Sequence, residues 1–250
     1  MRLTVLGSSD ASGIPRADCR DPACVCARAL AGRAPGRRNA CALITHDGAQ
    51  LAIDTGAGYQ ECQTLLLTHY HPDHAGHHEQ FAGIPAWGPA DDVPAAPLGE
   101  PGIDFFPRPP AVTVVEPLRM FDCGPFQCTP LPLNHPIPVY GWVVEAAGVR
   151  VAWLTDTYGI PSTSLAWLVE HPCALIALDT TFVPGTTRAP LRGHGDLTAS
   201  LAALAAAAPT QGLLIHIGHE LQTWLDAEGP VLPPGITVAH DGQVIELGHQ

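Results

Sequence analysis

The sequence predicts an α/β fold, arranged as a four-layer αββα sandwich, on three observations. Short apolar runs of β-forming residues recur along the chain and, past residue 160, alternate with stretches of helical pattern. Several of these runs end in a lone His or Asp, and strand ends are where α/β proteins assemble their sites. The chain has 250 residues, of which 46% are hydrophobic, enough for one large core. Two domains also fit that length, but the candidate site residues run from 69 to 216 and must converge, which favours a single domain over 1–250.

Taken in order, strands are expected near 2–7, 40–46, 49–53, 64–68, 111–115, 126–133, 139–146, 149–155, 174–178, 211–216 and 236–247. The pairs flanking Asp47-Gly48 and Ala147-Gly148 read as hairpins. Helices are expected at 75–82, 162–170, 196–207 and 219–228, with Ser162 and Asp196 as N-caps and the Ala-rich 199–208 stretch as a packed helix. The Pro/Gly-rich span 85–110 reads as a loop region, and there is no internal repeat. Met1 to Gly7 enters a strand without a long apolar signal core, and no apolar run approaches membrane-spanning length. A cytoplasmic location with no membrane contact is the expectation.

The most informative segment is Thr68-His69-Tyr70-His71-Pro72-Asp73-His74, which packs four potential metal ligands into six residues after the apolar Leu65-Leu66-Leu67. His69 and His71 alternate along extended backbone while Asp73 and His74 fall in the turn entering a helix, so two pairs face two neighbouring metal positions. Imidazoles with a carboxylate suit zinc, iron, manganese or nickel. One heptapeptide cannot saturate two ions, and His135, Asp156 and His216, each following a β-rich run, are the further candidates. A second site is suggested by Cys19, Cys24 and Cys26, spaced C-x4-C-x-C: three thiols wrap one tetrahedral ion, and His219 is the candidate fourth ligand. Cys41, Cys62, Cys123, Cys128 and Cys173 read as small buried apolar side chains.

These motifs, preceded by Asp54 in Leu51-Ala52-Ile53-Asp54-Thr55-Gly56, resemble the five of the metallo-β-lactamase superfamily, in order and over nearly the whole chain. Pro130 to His135 with Tyr140-Gly141-Trp142, Val151 to Thr157, Gly193-His194-Gly195-Asp196-Leu197, Ile215 to His219 and His240-Asp241-Gly242 look like its phosphodiesterase branch, the PhnP family. The resemblance implies a phosphodiesterase that opens 5-phosphoribosyl 1,2-cyclic phosphate to ribose 1,5-bisphosphate in phosphonate catabolism, and accepts 2',3'-cyclic nucleotides. It implies two divalent ions, manganese foremost, one structural zinc held by three Cys and one His, and a homodimer. His69, His71 and His135 are assigned to one ion, Asp73, His74 and His216 to the other, with Asp156 bridging and Asp54 behind the ligands. Two ions about 3.5–4 Å apart activate a water and polarise a phosphate oxygen. His194 is the candidate general acid for the departing sugar oxygen, with Asp196 either orienting it or capping the next helix.

Charge narrows the partners. A formal net charge of -12, with no Lys among 12 basic residues, argues against broad nucleic-acid binding and leaves a small phosphate ester compatible. Arg33, Arg37 and Arg38 form a basic cluster, read as a solvated loop face in preference to a phosphate contact. His46, His77, His78, His171, His240 and His249 read as exposed or structural. The competing functions are a tRNA 3'-processing endonuclease, a thiol-ester or lactam hydrolase, and a non-catalytic accessory protein of cofactor biosynthesis.

Overall fold

A computed structural model describes residues 1–29, 36–56, 61–90, 111–186 and 193–248, the side chains of residues 26, 27 and 29 excepted. Strand β1 (Arg2–Gly7) buries Leu3, Val5 and Gly7 on one face, the alternation a half-covered strand requires. It pairs antiparallel with β2 (Cys41–His46), which returns through Asp47-Gly48 as β3 (Ala49–Ile53). Both turn residues have positive φ, 47° and 80°, the conformation whose twist matches the strands on either side. Beyond β3 the sheet grows in parallel through β4 (Thr64–Leu66), β5 (Ala86–Gly88) and β6 (Val112–Val114).

The second sheet begins as a meander of β7 (Phe121–Cys123), β8 (Phe126–Pro132), β9 (Tyr140–Ala146) and β10 (Val149–Leu154). It continues in parallel through β11 (Leu175–Asp179), β12 (Gln211–Ile215) and β13 (Ile236–Val238). The last strand, β14 (Val244–Glu246), crosses back to pair with β1, so each sheet has seven strands.

Three apolar layers hold four layers of structure together. Between the sheets, Leu3, Val5, Ile44 and Ile53 meet Phe126, Trp142, Trp153 and Ile215. Outside the second sheet, Leu168 of α3 (Ser162–Glu170), Leu204 of α4 (Leu197–Ala207) and Leu221 of α5 (His219–Glu228) cover Ile176, Leu178 and Leu214. Outside the first, Ala75 and Phe81 cover Leu43, Leu65 and Leu67. The expected αββα sandwich is the observed one. No helix among the described residues is long and apolar enough to cross a membrane.

Several element boundaries differ from the sequence expectation, each for a local reason. The helix expected at 75–82 is a single turn at Pro72–Ala75 followed by a 3-10 turn at His78–Phe81. Pro72 favours the first helical position, and Gly76 ends the turn by donating to the Pro72 carbonyl. The strand expected at 236–247 is two strands in different sheets, because Gly242, at φ 80°, turns the chain between them. Helix Pro22–Ala29 carries Cys24 and Cys26 where no helix was expected, and β5 lies inside the span read as loop at 85–110, whose residues 91–110 fall outside the described ones. Strand β7 was not anticipated either. Ser162 does not cap α3: Pro161 holds that position without a side-chain bond.

Asp196 does cap α4, its carboxylate accepting from the Ala199 amide at 2.8 Å. Asp196→Ala is therefore expected to lower unfolding free energy by about 1 kcal/mol, while Asp196→Ser keeps most of the cap. Urea unfolding of the three proteins measures this, and an unshifted midpoint in the Ala variant would remove the capping role.

Candidate metal centre

Strand ends supply the site. Asp54 follows β3, His69 and His71 follow β4, His135 follows β8, Asp156 follows β10 and His216 follows β12, while Asp73 and His74 lie in the one-turn helix after His71. Both sheets thus deliver ligands to one place, and most of the donors are buried: His69, His74, Asp156 and His216 are exposed by 2% or less.

Two groups of donors result, each with its ligand atoms mutually within 4.8 Å. One is His69, His71, His135 and Asp156; the other is Asp73, His74, Asp156 and His216. The Asp156 oxygens divide between them. Oδ2 is 3.6 Å from His69 Nε2, whereas Oδ1 is 3.1 Å from His74 Nε2 and 3.4 Å from His216 Nε2. Asp73 Oδ2 closes the second group at 2.9 Å from His74 Nε2 and 3.9 Å from His216 Nε2. In the first group, His69 Nε2 and His71 Nδ1 converge to 2.9 Å.

Behind the donors, other groups orient the rings. Asp54 Oδ2 lies 2.8 Å from His74 Nδ1, and the same carboxylate accepts from the Thr68 amide and hydroxyl. His135 Nδ1 faces the Gly193 carbonyl at 3.2 Å, and His216 Nδ1 faces the Thr181 hydroxyl at 2.8 Å. With the far nitrogen so engaged, the near one keeps its lone pair for the centre. Gly193 cannot be replaced without disturbance: its φ is 68°, and a Cβ there would stand 2.8 Å from His135 Nδ1.

Electrostatics supports occupation by cations. The Nε2 atom of His135 is buried without a hydrogen-bond partner, and those of His74 and His216 face carboxylate oxygens, an arrangement that is costly unless positive charge sits among them. Burial depresses His69 and pushes His135 down to about 4, keeping these rings neutral as ligation requires. Burial opposes charge on His216 too, but Asp156 and Asp179 overcome it and lift the ring to about 9. Burial alone would raise Asp156, yet His216, His74 and His69 hold it well below the ordinary carboxylate value. The carboxylates thus call for positive charge at the second position, which a proton or a metal ion provides. Imidazole and carboxylate donors of this kind fit divalent zinc, iron or manganese.

His194 stands beside this centre, not among the two ligand groups of the sequence assignment. Its ring stacks on His216 with centroids 4.9 Å apart, and its Nε2 reaches to 4.0 Å from Asp156 Oδ2. The partner that orients it was missed from sequence. Asp196 is spent on the α4 cap, and it is Asp179, at the end of β11, whose Oδ2 meets His194 Nδ1 at 2.7 Å. Asp179 is fully buried, and its carboxylate also accepts from the Gly195 amide, the Thr181 hydroxyl and the Thr157 amide. The available signal was its place: an Asp closing an apolar strand, like Asp54 and Asp156. Asp156, Asp179, His194 and His216 themselves form a further potential cation-holding group.

The second candidate site is partly assembled. Cys19, Cys24 and His219 converge, with Cys19 Sγ 3.4 Å from His219 Nδ1, on the facing ends of helix α1 (Pro22–Ala29) and α5. Cys26 lies in α1, its side chain outside the described ones. The remaining described cysteines, Cys41, Cys62, Cys123, Cys128 and Cys173, are buried as expected. Among the basic residues, Arg37 is not on a solvated face. It is largely buried and donates to Ser8, Ala239 and Gln222, while Arg38 pairs with Asp241 at 3.3 Å and Arg33 lies outside the described residues. His77 is exposed, and His78 Nδ1 contacts the Ala75 carbonyl at 2.8 Å.

Solved structures share this architecture. A diphosphatase of the PhnP family is 21% identical over 99% of this chain and 98% of its own, with a TM-score of 0.74. Zinc-bound PqqB from Methylobacterium extorquens is 20% identical over 99% and 100%, at 0.71. The short form of human tRNase Z is 17% identical over the full length of both chains, at 0.66. These likenesses carry the fold. Among curated proteins none matches the sequence. The beta-lactamase superfamily domain, however, matches residues 49–217, more than half of the chain and every donor of the two His- and Asp-bearing groups, and to that superfamily this protein belongs.

Proposed function

We propose that this protein is a dinuclear metal-dependent phosphodiesterase that opens small cyclic phosphate esters. The two candidates are the 5-phosphoribosyl 1,2-cyclic phosphate and the 2',3'-cyclic nucleotides. The observation that carries the reading is the division of the Asp156 carboxylate between two His-rich donor groups, with His194 held by Asp179 at their edge. His69, His71 and His135 would hold one ion, Asp73, His74 and His216 the other, and Asp156 both. Divalent ions bound there supply Lewis acidity toward a phosphate oxygen and lower the pKa of water.

The protein's own contribution is placement and proton transfer. Asp54, Thr68, Gly193 and Thr181 fix the imidazoles, so little reorganisation accompanies the reaction. His194 Nε2 points toward Asp156 while its Nδ1 is engaged by Asp179. A ring held in this way delivers a proton from Nε2 to the sugar oxygen as the P–O bond breaks, with the carboxylate fixing the ring's orientation for the transfer. The likeness to a PhnP-family diphosphatase makes cleavage of a diphosphate, a phosphoanhydride, the second reading. The acidic net charge of -12 weighs against a tRNA substrate.

Assay of the purified protein, loaded with manganese, zinc or iron, against cyclic phosphates, linear diesters, diphosphates and pre-tRNA tests the substrate class. Turnover of pre-tRNA alone would replace this reading. Asp73→Ala and His74→Ala are each expected to empty one metal position and abolish turnover, with metal content falling in step; full activity at saturating metal would refute the dinuclear assignment. His194→Ala is expected to keep its metals yet lose about 10²- to 10⁴-fold on esters with a poor alkoxide leaving group. The loss should shrink sharply on a p-nitrophenyl ester, whose leaving group departs unprotonated. Asp179→Asn should follow His194→Ala in direction; equal losses on both ester types would reassign His194 to positioning or ligation.

A further inference from the structure

Two thiols and an imidazole meet between α1 and α5, and three donors leave a tetrahedral ion one ligand short. Cys19 Sγ stands 3.4 Å from His219 Nδ1, and Cys24 is fully buried beside them. Each sulfur also accepts a backbone N–H, Cys24 from Arg16 and Cys19 from Asp21, both at 3.4 Å. Such donors favour the thiolate, the form that binds a metal. Arg28 donates to the carbonyls of Arg16 and Cys19, which fixes the segment ahead of α1.

The spacing C-x4-C-x-C puts Cys24 and Cys26 on one helix, two positions apart. At 3.6 residues per turn such positions stand about 200° apart around the axis, so the face that brings residue 24 to an ion is not the face of residue 26. Asp21 is placed differently. It directly precedes Pro22 at the start of α1, and its carboxylate is divided: Oδ1 accepts from the Ala23 amide at 3.2 Å and from the Thr223 hydroxyl of α5, while Oδ2 faces His219 Nδ1 at 3.9 Å. Donor atoms around a tetrahedral ion with bonds of about 2.0–2.3 Å lie about 3.3–3.8 Å from one another. The separations of 3.4 and 3.9 Å at His219 Nδ1 approach that spacing. Asp21 is not among the three donors already mutually within 4.8 Å, so closure round an ion takes a rotation of its side chain. Ligation through Nδ1 also puts the ring proton on Nε2 and displaces the exposed Arg16 guanidinium now 3.0 Å from it.

We propose that this site holds one divalent ion of the zinc type through Cys19, Cys24, His219 and the carboxylate of Asp21, with Cys26 outside the ligand set. The ion then ties the first turn of α1 to the first residue of α5, three positions beyond His216, and braces a ligand of the dinuclear centre from behind. The proposal is independent of the reaction assigned to that centre, and activity is not its readout.

Cobalt(II) in place of zinc gives a thiolate charge-transfer absorption, which reports this site alone because the two His- and Asp-bearing groups contain no sulfur. The full chain, produced with cobalt(II) in the medium, is expected to show that band, and its displacement by zinc in the presence of a chelator series measures zinc affinity. Cys26→Ser should leave both the band and the affinity unchanged. Asp21→Asn should keep the band at saturating cobalt, since both thiolates remain, yet weaken zinc binding by about 100-fold or more, beyond what loss of a group behind a ligand costs. Asn caps a helix as Asp does, so this variant separates ligation from capping of α1, and Asp21→Ser repeats the test should the first fold poorly. A weakened band in Cys26→Ser, unchanged zinc affinity in both Asp21 variants, or no band in the wild type overturns the proposal.

Discussion

Everything at the metal centre turns on one buried carboxylate. Asp156 is 2% exposed, surrounded by imidazoles, and directs its two oxygens to different donor groups. Such a charge cannot be buried without compensation, so the surrounding fold must bring positive charge or proton donors to both oxygens. It does so by layering. Asp156 leaves β10 of the second sheet, His69 and His74 come from beyond β4 of the first, and His216 comes from β12, two strands from β10. The core between the sheets, with Trp142 and Trp153 at its centre, sets the separation at which these strand ends meet. A slip of one residue in either sheet would turn the ligands away from one another.

Backbone strain collects at the same place. Among the described non-glycine residues with positive φ, Asp47 and Ala147 sit in hairpin turns, where that conformation is ordinary. Asp54, Asp156 and His216 adopt it at strand ends inside the site, with φ of 61°, 53° and 59°. Left-handed backbone is unfavourable for such residues by about 1–3 kcal/mol each and persists only where the surroundings impose it. Here the imposing bonds can be named. Thr68 and His74 hold Asp54, Thr155 donates to Asp156, and Thr181 grips both Nδ1 and the carbonyl of His216. Each strand is bent sharply at its last residue, which throws the side chain off the sheet and into the centre.

How much of this was legible in the sequence depended on how local each signal is. The H-x-H-x-D-H segment could be read directly, because the partition of its side chains follows from an extended stretch giving way to a helical turn at Pro72. His135, Asp156 and His216 were readable as polar residues closing apolar strands, and their convergence needed only one domain. The Cys19, Cys24 and His219 group was legible from chemistry, while the helix carrying Cys24 was not, since its pattern is short. Asp179 closes an apolar strand as Asp54 and Asp156 do, but no motif beside it tells what it orients. Its meaning arises when the chain returns 15 residues later with His194, and β12 arrives alongside with His216. The two strands that close the chain, read as one, are divided at Gly242, but that they join different sheets, beside β12 and β1, needed the tertiary context.

Asp179 shows why the site is more than a metal cradle. Its Oδ2 meets His194 Nδ1 at 2.7 Å and lies 3.5 Å from His216 Nδ1, while its Oδ1 takes the Thr181 hydroxyl that also contacts His216. One buried carboxylate thus sets the orientation of a candidate ligand and of a candidate acid whose rings are stacked 11° from parallel. Moving either ring alone would cost a charged hydrogen bond in a buried setting, so the two are constrained to move together or not at all. That coupling keeps His194 Nε2 at a fixed offset from Asp156 and the donor groups it joins.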